Sequence, residues 1–315
     1  MEFFREKGNF ELFWKYHFIH NFISELAPFH DDWIKTMAET DKSILLEAFR
    51  GSLKTELVKV YLVYCICYQI EPYIVIQSFD STGSEEMVRN VAKMLVSRSI
   101  VTDYGNLFPF ETMKEDFSKK SVVNFNTTNG VKVVSRSLGE KLRGASSYDE
   151  ETGSSRPTLL VLDDIDVMDS VRNVDIIDKN YAKINNETIG AMSKEHSRII
   201  FLGNTILGDG IVRRFVTTKN NNQFWKVYRQ PLFDDNGKIT WDFFTPEMVE
   251  KIKADEGPDA FLQNYQLIPK VLSGTPVFAD SDKITQIQYP YKEVEGFKLY
   301  LPPQDDLVMG IDIAE

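Results

Sequence analysis

Apolar positions along this chain fall into short dense runs separated by polar turns, and the length and period of each run predict its element. Between residues 1 and 40, Phe3, Phe4, Phe10, Phe13, Trp14, Phe18, Phe22 and Trp33 stand among polar neighbours, which predicts one or two amphipathic helices bracing a larger body. From Ser43 the pattern becomes strand, tight turn and helix. Ile44, Leu45 and Leu46 lead through Phe49-Arg50-Gly51-Ser52-Leu53-Lys54-Thr55 into a helix reaching about Tyr68. That helix is apolar nearly all round and is expected to be buried against a sheet. Tyr73 to Ile76 reads as a second strand and 85–97 as a helix, an alternation that predicts parallel pairing. Ser121 to Asn124 and Val131 to Ser135 read as strands flanking the turn Thr127-Thr128-Asn129-Gly130, a hairpin signal. The polar stretch 139–157 reads as a surface loop. Two continuous apolar strands follow, Thr158 to Leu162 ending in Asp163-Asp164, and Arg198 to Leu202 ending in Gly203-Asn204-Thr205. Residues 246–268 are helical in pattern. The expected division is thus a helical segment at 1–40, an α/β domain at 41–270 with a central, mostly parallel sheet flanked by helices, and a proline-containing linker at 271–306. Residues 307–315 open another strand, which suggests the start of a truncated domain.

Composition adds boundaries to this picture. With 315 residues, 43% hydrophobic and 26% charged, the chain reads as a soluble globular protein long enough for a sizeable core. A net charge of -11 argues against a broad basic face gripping DNA, although a motor touching DNA through small basic clusters needs no such face. The longest apolar run, Val60 to Tyr68, falls well short of the ~20 residues that span a bilayer, and no secretory signal opens the chain, so no membrane partner is expected. Cys65 and Cys67 read as buried thiols in a reducing cytoplasm, since their spacing suits neither a disulfide framework nor a metal site.

Three segments have the residue types for phosphate chemistry. Arg50-Gly51-Ser52-Leu53-Lys54-Thr55 lies between a buried strand and a buried helix. A phosphate-binding loop needs backbone N–H groups at a helix N-terminus, a lysine for the β- and γ-phosphates and a hydroxyl for Mg²⁺. Lys54 and Thr55 suit those roles, although Leu53 and Ala48 occupy places where the standard pattern has glycine; the alternative is that Ser52 caps an ordinary helix. Leu159 to Asp164 delivers two carboxylates to a strand end, for Mg²⁺ and for polarising the attacking water, or else as an acidic turn capping the next helix. Asn204 and Thr205 reach the same edge of a parallel sheet, where ligands bind, unless Gly203-Asn204 is merely a turn.

The ordered series Arg50-Gly51 with Lys54-Thr55, Leu142-Arg143-Gly144, Arg156 to Asp166, and Ile200 to Thr205 resembles the ATPase of the large terminase subunit of tailed bacteriophages. Phe261-Leu262-Gln263-Asn264-Tyr265 with Pro269 resembles the segment that closes that region, and Gly310-Ile311-Asp312-Ile313-Ala314 the opening strand of the family's RNase H-like nuclease. The match runs from about His30 onward. It implies a P-loop NTPase fold of the RecA/ASCE type that uses ATP and Mg²⁺. The resemblance assigns Arg50, Gly51, Ser52, Leu53 and Lys54 to the phosphates, and Thr55 and Asp163 to Mg²⁺. Water activation falls to Asp164, a position where many relatives have glutamate, with Asp166 as its substitute. Asn204 belongs to the motif that couples hydrolysis to movement. Arg143 is expected to reach a neighbouring subunit's γ-phosphate or the DNA, Arg156 shares its loop, and either would otherwise be a solvated basic residue. His30 and Trp33 stand where terminases contact adenine, unless they are simply packed. Asp312 would be the first metal ligand of a nuclease whose other carboxylates are absent, so no DNA cleavage is expected.

The implied activity is an ATP-driven translocase packaging double-stranded DNA into procapsids. Its implied partners are the portal protein and the small terminase subunit. It would act as a homo-oligomeric ring when active and a monomer when isolated, in the host-cell cytoplasm and docked on the portal. The rivals are another P-loop nucleic-acid motor of helicase type and a catalytically weak assembly module.

Overall fold

Strands that are apolar on both faces must be covered on both, and that requirement organises this molecule. In the computed structural model the described residues are 9–21, 25–38, 41–109, 120–140, 142, 147–149, 153–167, 174–206, 210–269, 291–294 and 297–300. The first compact unit, Met1–Leu272, contains a seven-stranded sheet. Its strands are β1 (Ser43–Ala48), β2 (Tyr73–Ser78), β3 (Asn124–Asn126), β4 (Lys132–Ser137), β7 (Leu159–Asp163), β8 (Arg198–Gly203) and β9 (Trp225–Gln230). A separate hairpin pairs β5 (Ser147–Asp149) with β6 (Gly153–Ser155), within the stretch expected to be loop. The sheet order is β3-β4-β2-β7-β8-β1-β9, and every pairing is parallel except that of β3 with β4. β8 therefore lies between β1 and β7, and the carboxyl ends of all three open on one rim.

Helices cover both faces. They are α1 (Phe10–Phe18), α2 (Pro28–Ala38), α3 (Lys54–Cys67), α4 (Ser81–Leu95), α5 (Arg98–Tyr104), α6 (Val174–Lys183), α7 (Ile211–Lys219), α8 (Pro246–Glu256) and α9 (Pro258–Gln266). In α3 every residue from Leu57 to Ile66 is buried, as its unpatterned apolarity requires. Strand side chains alternate between the layers. Ile44, Leu46, Ile74, Ile76, Val161 and Leu202 share a core with α1 to α4, whereas Leu45, Val75, Leu160 and Phe201 face Ile177 of α6 and Phe215 of α7. The N-terminal brace is thus the outer part of one face.

Several expectations shift. Residues 120–123 form a 3₁₀ turn, and the hairpin pairs Asn124 with Val134 and Asn126 with Lys132 around the turn at Gly130. The helical stretch 246–268 is two helices, broken where Gly257 takes φ +83° and Pro258 begins α9. Of the second unit, Ser273–Glu315, the described residues form a hairpin of β10 (Tyr291–Val294) and β11 (Phe297–Tyr300). Residues 307–315, with Asp312, lie outside the described residues. Among the described residues no helix is long and apolar enough to cross a membrane, and no three or more His, Cys, Asp or Glu side chains gather as they would around a metal ion. Burial pushes the thiols of Cys65 and Cys67 well up, as inert packed groups require.

Gly203 ends β8 against α7. A Cβ there would lie 2.5 Å and 2.9 Å from the two γ-carbons of Val212. Gly203→Ala is expected to cost about 1–3 kcal/mol by overpacking, and Val212→Ala to restore part of it. Urea unfolding of the single and double variants checks this, and an unchanged midpoint for Gly203→Ala would contradict it.

Candidate nucleotide-binding site

Beyond Ala48 the chain turns sharply. The Phe49 N–H donates to the Gln230 carbonyl at 3.0 Å, the Arg50 N–H to that of Asn264 at 2.9 Å, and the Ser52 N–H back to Phe49 at 3.2 Å. Gly51 sits at φ +83° with the Phe244 ring close beneath, and Leu53 takes φ 61°, ψ 10° immediately before α3. A left-handed leucine costs about 1–2 kcal/mol, which is why glycine is the usual occupant of such a position. The turn leaves the first N–H groups of α3 without carbonyl partners inside the helix, aimed where an anion would sit. Ser52 does not cap this helix: its hydroxyl is buried without a partner and the residue before Lys54 offers no side-chain cap.

Lys54 reaches back to the Ala48 carbonyl at 3.4 Å, and the Thr55 hydroxyl donates to Asp163 Oδ2 at 3.4 Å. Burial lowers the Lys54 pKa, with Asp163 and Asp164 opposing the shift and Arg50 adding to it. Asp163 moves the other way: burial raises its pKa, Asp164 adds to the rise, and Lys54 and Thr55 oppose it. Its second oxygen, Oδ1, is buried with no partner. A desolvated carboxylate oxygen whose lone pairs have no hydrogen-bond partner, beside a hydroxyl, is a donor set suited to a small hard cation. Asp164 follows at φ 48°, a left-handed kink that leaves its side chain exposed while its carbonyl accepts the Phe79 N–H at 3.3 Å.

Lys54, Thr55 and Asp164 border one cavity of about 760 Å³, with Asp163 reaching it through Thr55. Arg50, Gly51, Lys54, Thr55, Asp164 and Asn204 line one side, and the start of α9 with Gln263 and Asn264 lines the other. The Asn204 amide donates to the Asn264 carbonyl at 3.1 Å, which leaves Asn204 Oδ1 buried and free to accept. Asp166 is elsewhere: its two oxygens accept the Ile211 and Val212 N–H groups at 3.0 and 2.9 Å, capping α7. With both oxygens occupied it is no substitute for Asp164. Arg156 is exposed ahead of β7, at the opposite end of that strand from the cavity. Arg143 lies outside the described residues.

His30 and Trp33 are fully buried and do not face the cavity, which corrects the adenine-contact expectation in favour of packing. His30 nevertheless shapes the site. Its Nδ1 accepts the Ala27 N–H at 2.9 Å, so Nε2 bears the proton and donates to the Ser52 carbonyl at 2.9 Å, tying α2 to the loop. Burial pushes its pKa down to about 4 from 6.5. A depressed histidine contributes stability that is complete above the unfolded value near 6.5 and lost as pH falls toward 4. The expected loss across that window is about 2–3 kcal/mol. His30→Gln should flatten the acid limb of unfolding measured from pH 7 to 4; an equally steep limb would refute this assignment.

Sequence reasoning missed Glu47, a fully buried carboxylate between Leu46 and Ala48. A lone charge inside an apolar strand was its signal.

The α/β sheet, the loop from β1 into α3 and the acidic end of β7 define a P-loop ATPase fold. No family model and no curated protein matches the chain. Among solved structures, the large terminase of bacteriophage HK97 superposes with a TM-score of 0.52 at 13% identity, covering 83% of this chain and 54% of that one. The large terminase of the thermophilic bacteriophage D6E in complex with ADP gives 0.45 at 11% identity, covering 74% and 49%. The fold is therefore similar to that of the HK97 large terminase, about half of whose length the chain spans.

Proposed function

We propose that this chain is the ATP-hydrolysing motor region of a viral large terminase, using ATP and Mg²⁺ to drive double-stranded DNA into a procapsid. The observation that supports this most is the meeting of Lys54, Thr55 and Asp164, from β1–α3 and β7, around one cavity at a helix N-terminus, with Asp163 against the Thr55 hydroxyl. The first turn of α3 and Lys54 would hold the β- and γ-phosphates, with Arg50 at the mouth. Thr55 and Asp163 fit Mg²⁺, because Asp163 keeps a buried oxygen without a partner beside the Thr55 hydroxyl. The bound ion would neutralise phosphate charge. Asp164, exposed and lining the cavity, would orient the attacking water, and Asn204 on the same cavity wall would assist it. Similarity of fold to the HK97 large terminase motivates the remaining parts of the reading: a ring of subunits, docking on a portal in the host cytoplasm, and a small terminase partner.

The test is phosphate release by the purified chain with ATP, Mg²⁺ and linear duplex DNA. Turnover that stops on chelation by EDTA and rises with DNA is expected. Absence of turnover with all three present would remove the motor reading.

A further inference from the structure

Glu47 lies two residues before the phosphate-loop turn, on the strand between β8 and β9. Its carboxylate has no exposure and gathers four contacts from three elements. Oε1 accepts the Thr205 hydroxyl; Arg213 Nη1, on α7, lies 3.2 Å from Oε1 and 3.1 Å from Oε2; Arg229 Nε, on β9, lies 3.3 Å from Oε2. Arg229 also donates through Nη2 to the Leu267 carbonyl at 2.9 Å, at the C-terminal end of α9. That helix supplies the Asn264 carbonyl, which accepts both the Arg50 N–H and the Asn204 amide. The contacts close into a ring running Glu47, Thr205, Asn204, Asn264, α9, Leu267, Arg229 and back to Glu47.

We infer that Glu47 is a positioning residue that sets Asn204 for the attacking water. It holds Asn204 from both sides: through the neighbouring residue Thr205, and through the helix whose carbonyl orients the Asn204 amide. With that amide nitrogen tied, the orientation of the whole Asn204 amide, and so of its unpartnered Oδ1, is fixed at the cavity wall. Losing the ring frees both restraints at once. A displacement of about 1 Å in a group that orients a reactant costs as much as 10²-fold in rate. Nucleotide binding is anchored chiefly by the first turn of α3 and by His30 under the loop, both outside the ring, which meets the loop only at the Arg50 N–H. This inference rests on the ATPase reading and adds a residue, Glu47, that touches neither nucleotide nor metal.

Thr205→Val preserves shape but removes the hydroxyl, and Arg229→Ala removes a half-exposed side chain, so both variants test the ring without emptying the buried Glu47 position. Each is expected to lower kcat for ATP roughly tenfold or more while the Kd for a fluorescent ADP analogue stays within about threefold of wild type. Thr205→Ser, which restores the hydroxyl, is expected to recover most of the loss. Glu47→Gln, where it folds, should behave as Thr205→Val does. The inference is overturned if Thr205→Val turns over like wild type, or if kcat and ADP-analogue binding fall together, the mark of general damage. If wild type binds the analogue but releases no phosphate, the ATPase reading itself fails and this inference goes with it. Near-normal turnover in the variants beside an active wild type sinks the inference alone.

Discussion

Replacing Lys54 by alanine is expected to lower ATP turnover by about 10²–10³-fold without lowering the unfolding temperature. Among the described residues lining the cavity this is the one lysine, and it lies beside the carboxylates of Asp163 and Asp164. Removing a donor aimed at developing phosphoryl charge typically costs that factor. Stability follows a different logic, because burial already opposes the Lys54 charge, as the lowered pKa records. Its loss relieves that desolvation, which outweighs the attraction of Asp163 and Asp164, and removes a long contact of 3.4 Å to Ala48. Asp164→Ala should be separable from it: turnover falls by about 10²-fold or more, yet a fluorescent ATP analogue still binds, since the proposed role of Asp164 is toward the water rather than the phosphates. Steady-state phosphate release combined with analogue titration makes the comparison. Equal turnover in wild type and both variants would remove the catalytic assignment.

Arg198→Met is expected to be the most damaging single exchange for stability, at about 3–5 kcal/mol. The guanidinium is 1% exposed and is held without any carboxylate. Nε donates to the Lys42 carbonyl at 2.6 Å, Nη1 to the Met37 carbonyl at 2.9 Å and the Tyr61 hydroxyl at 2.6 Å, and Nη2 to the Thr36 carbonyl at 2.9 Å. Met37 and Thr36 lie in the last turn of α2, whose carbonyls have no partners within the helix. A cation there also meets the negative end of the helix dipole. Methionine fills the volume but leaves four buried acceptors unpaired. Lysine does not rescue, because an ammonium lacks the planar fork that reaches acceptors in several directions. Since α2 also carries His30, loosening its end should reach the phosphate loop, and nucleotide affinity is expected to fall in parallel. Equilibrium unfolding in urea measures the first effect; a loss below about 1 kcal/mol would show that the carbonyls find water instead.

The local elements around the site were legible because their physics is local. β1, β7 and β8 are continuous apolar runs, as strands covered on both faces must be, and the segment from Arg50 to Thr55 shows its turn-to-helix character in a handful of neighbouring residues. Where the pattern is weak the reading failed. β9, Trp-Lys-Val-Tyr-Arg-Gln, lies at the sheet edge, half solvated, so its charges masked a strand. One helical period covered α8 and α9, and only the left-handed glycine between them separates the two.

Spatial order was a different matter. Nothing in the runs themselves says that β8 inserts between β1 and β7, yet that order brings Asn204 to the same cavity as Lys54 and Asp164. The residues missed are those whose partners are remote: Glu47 meets Thr205 158 positions away, and Arg198 meets Thr36 across 162. The amino-acid sequence alone determined which segments must be buried strands and helices and which turn could receive phosphate, because hydrophobic period and backbone freedom act over a few residues. Only the tertiary structure decided strand order, the partner of each buried charge, and the separation of Asp164 from Asp166. Those outcomes depend on desolvation and pairing among groups brought together by the whole fold, for which a local pattern offers many equivalent choices.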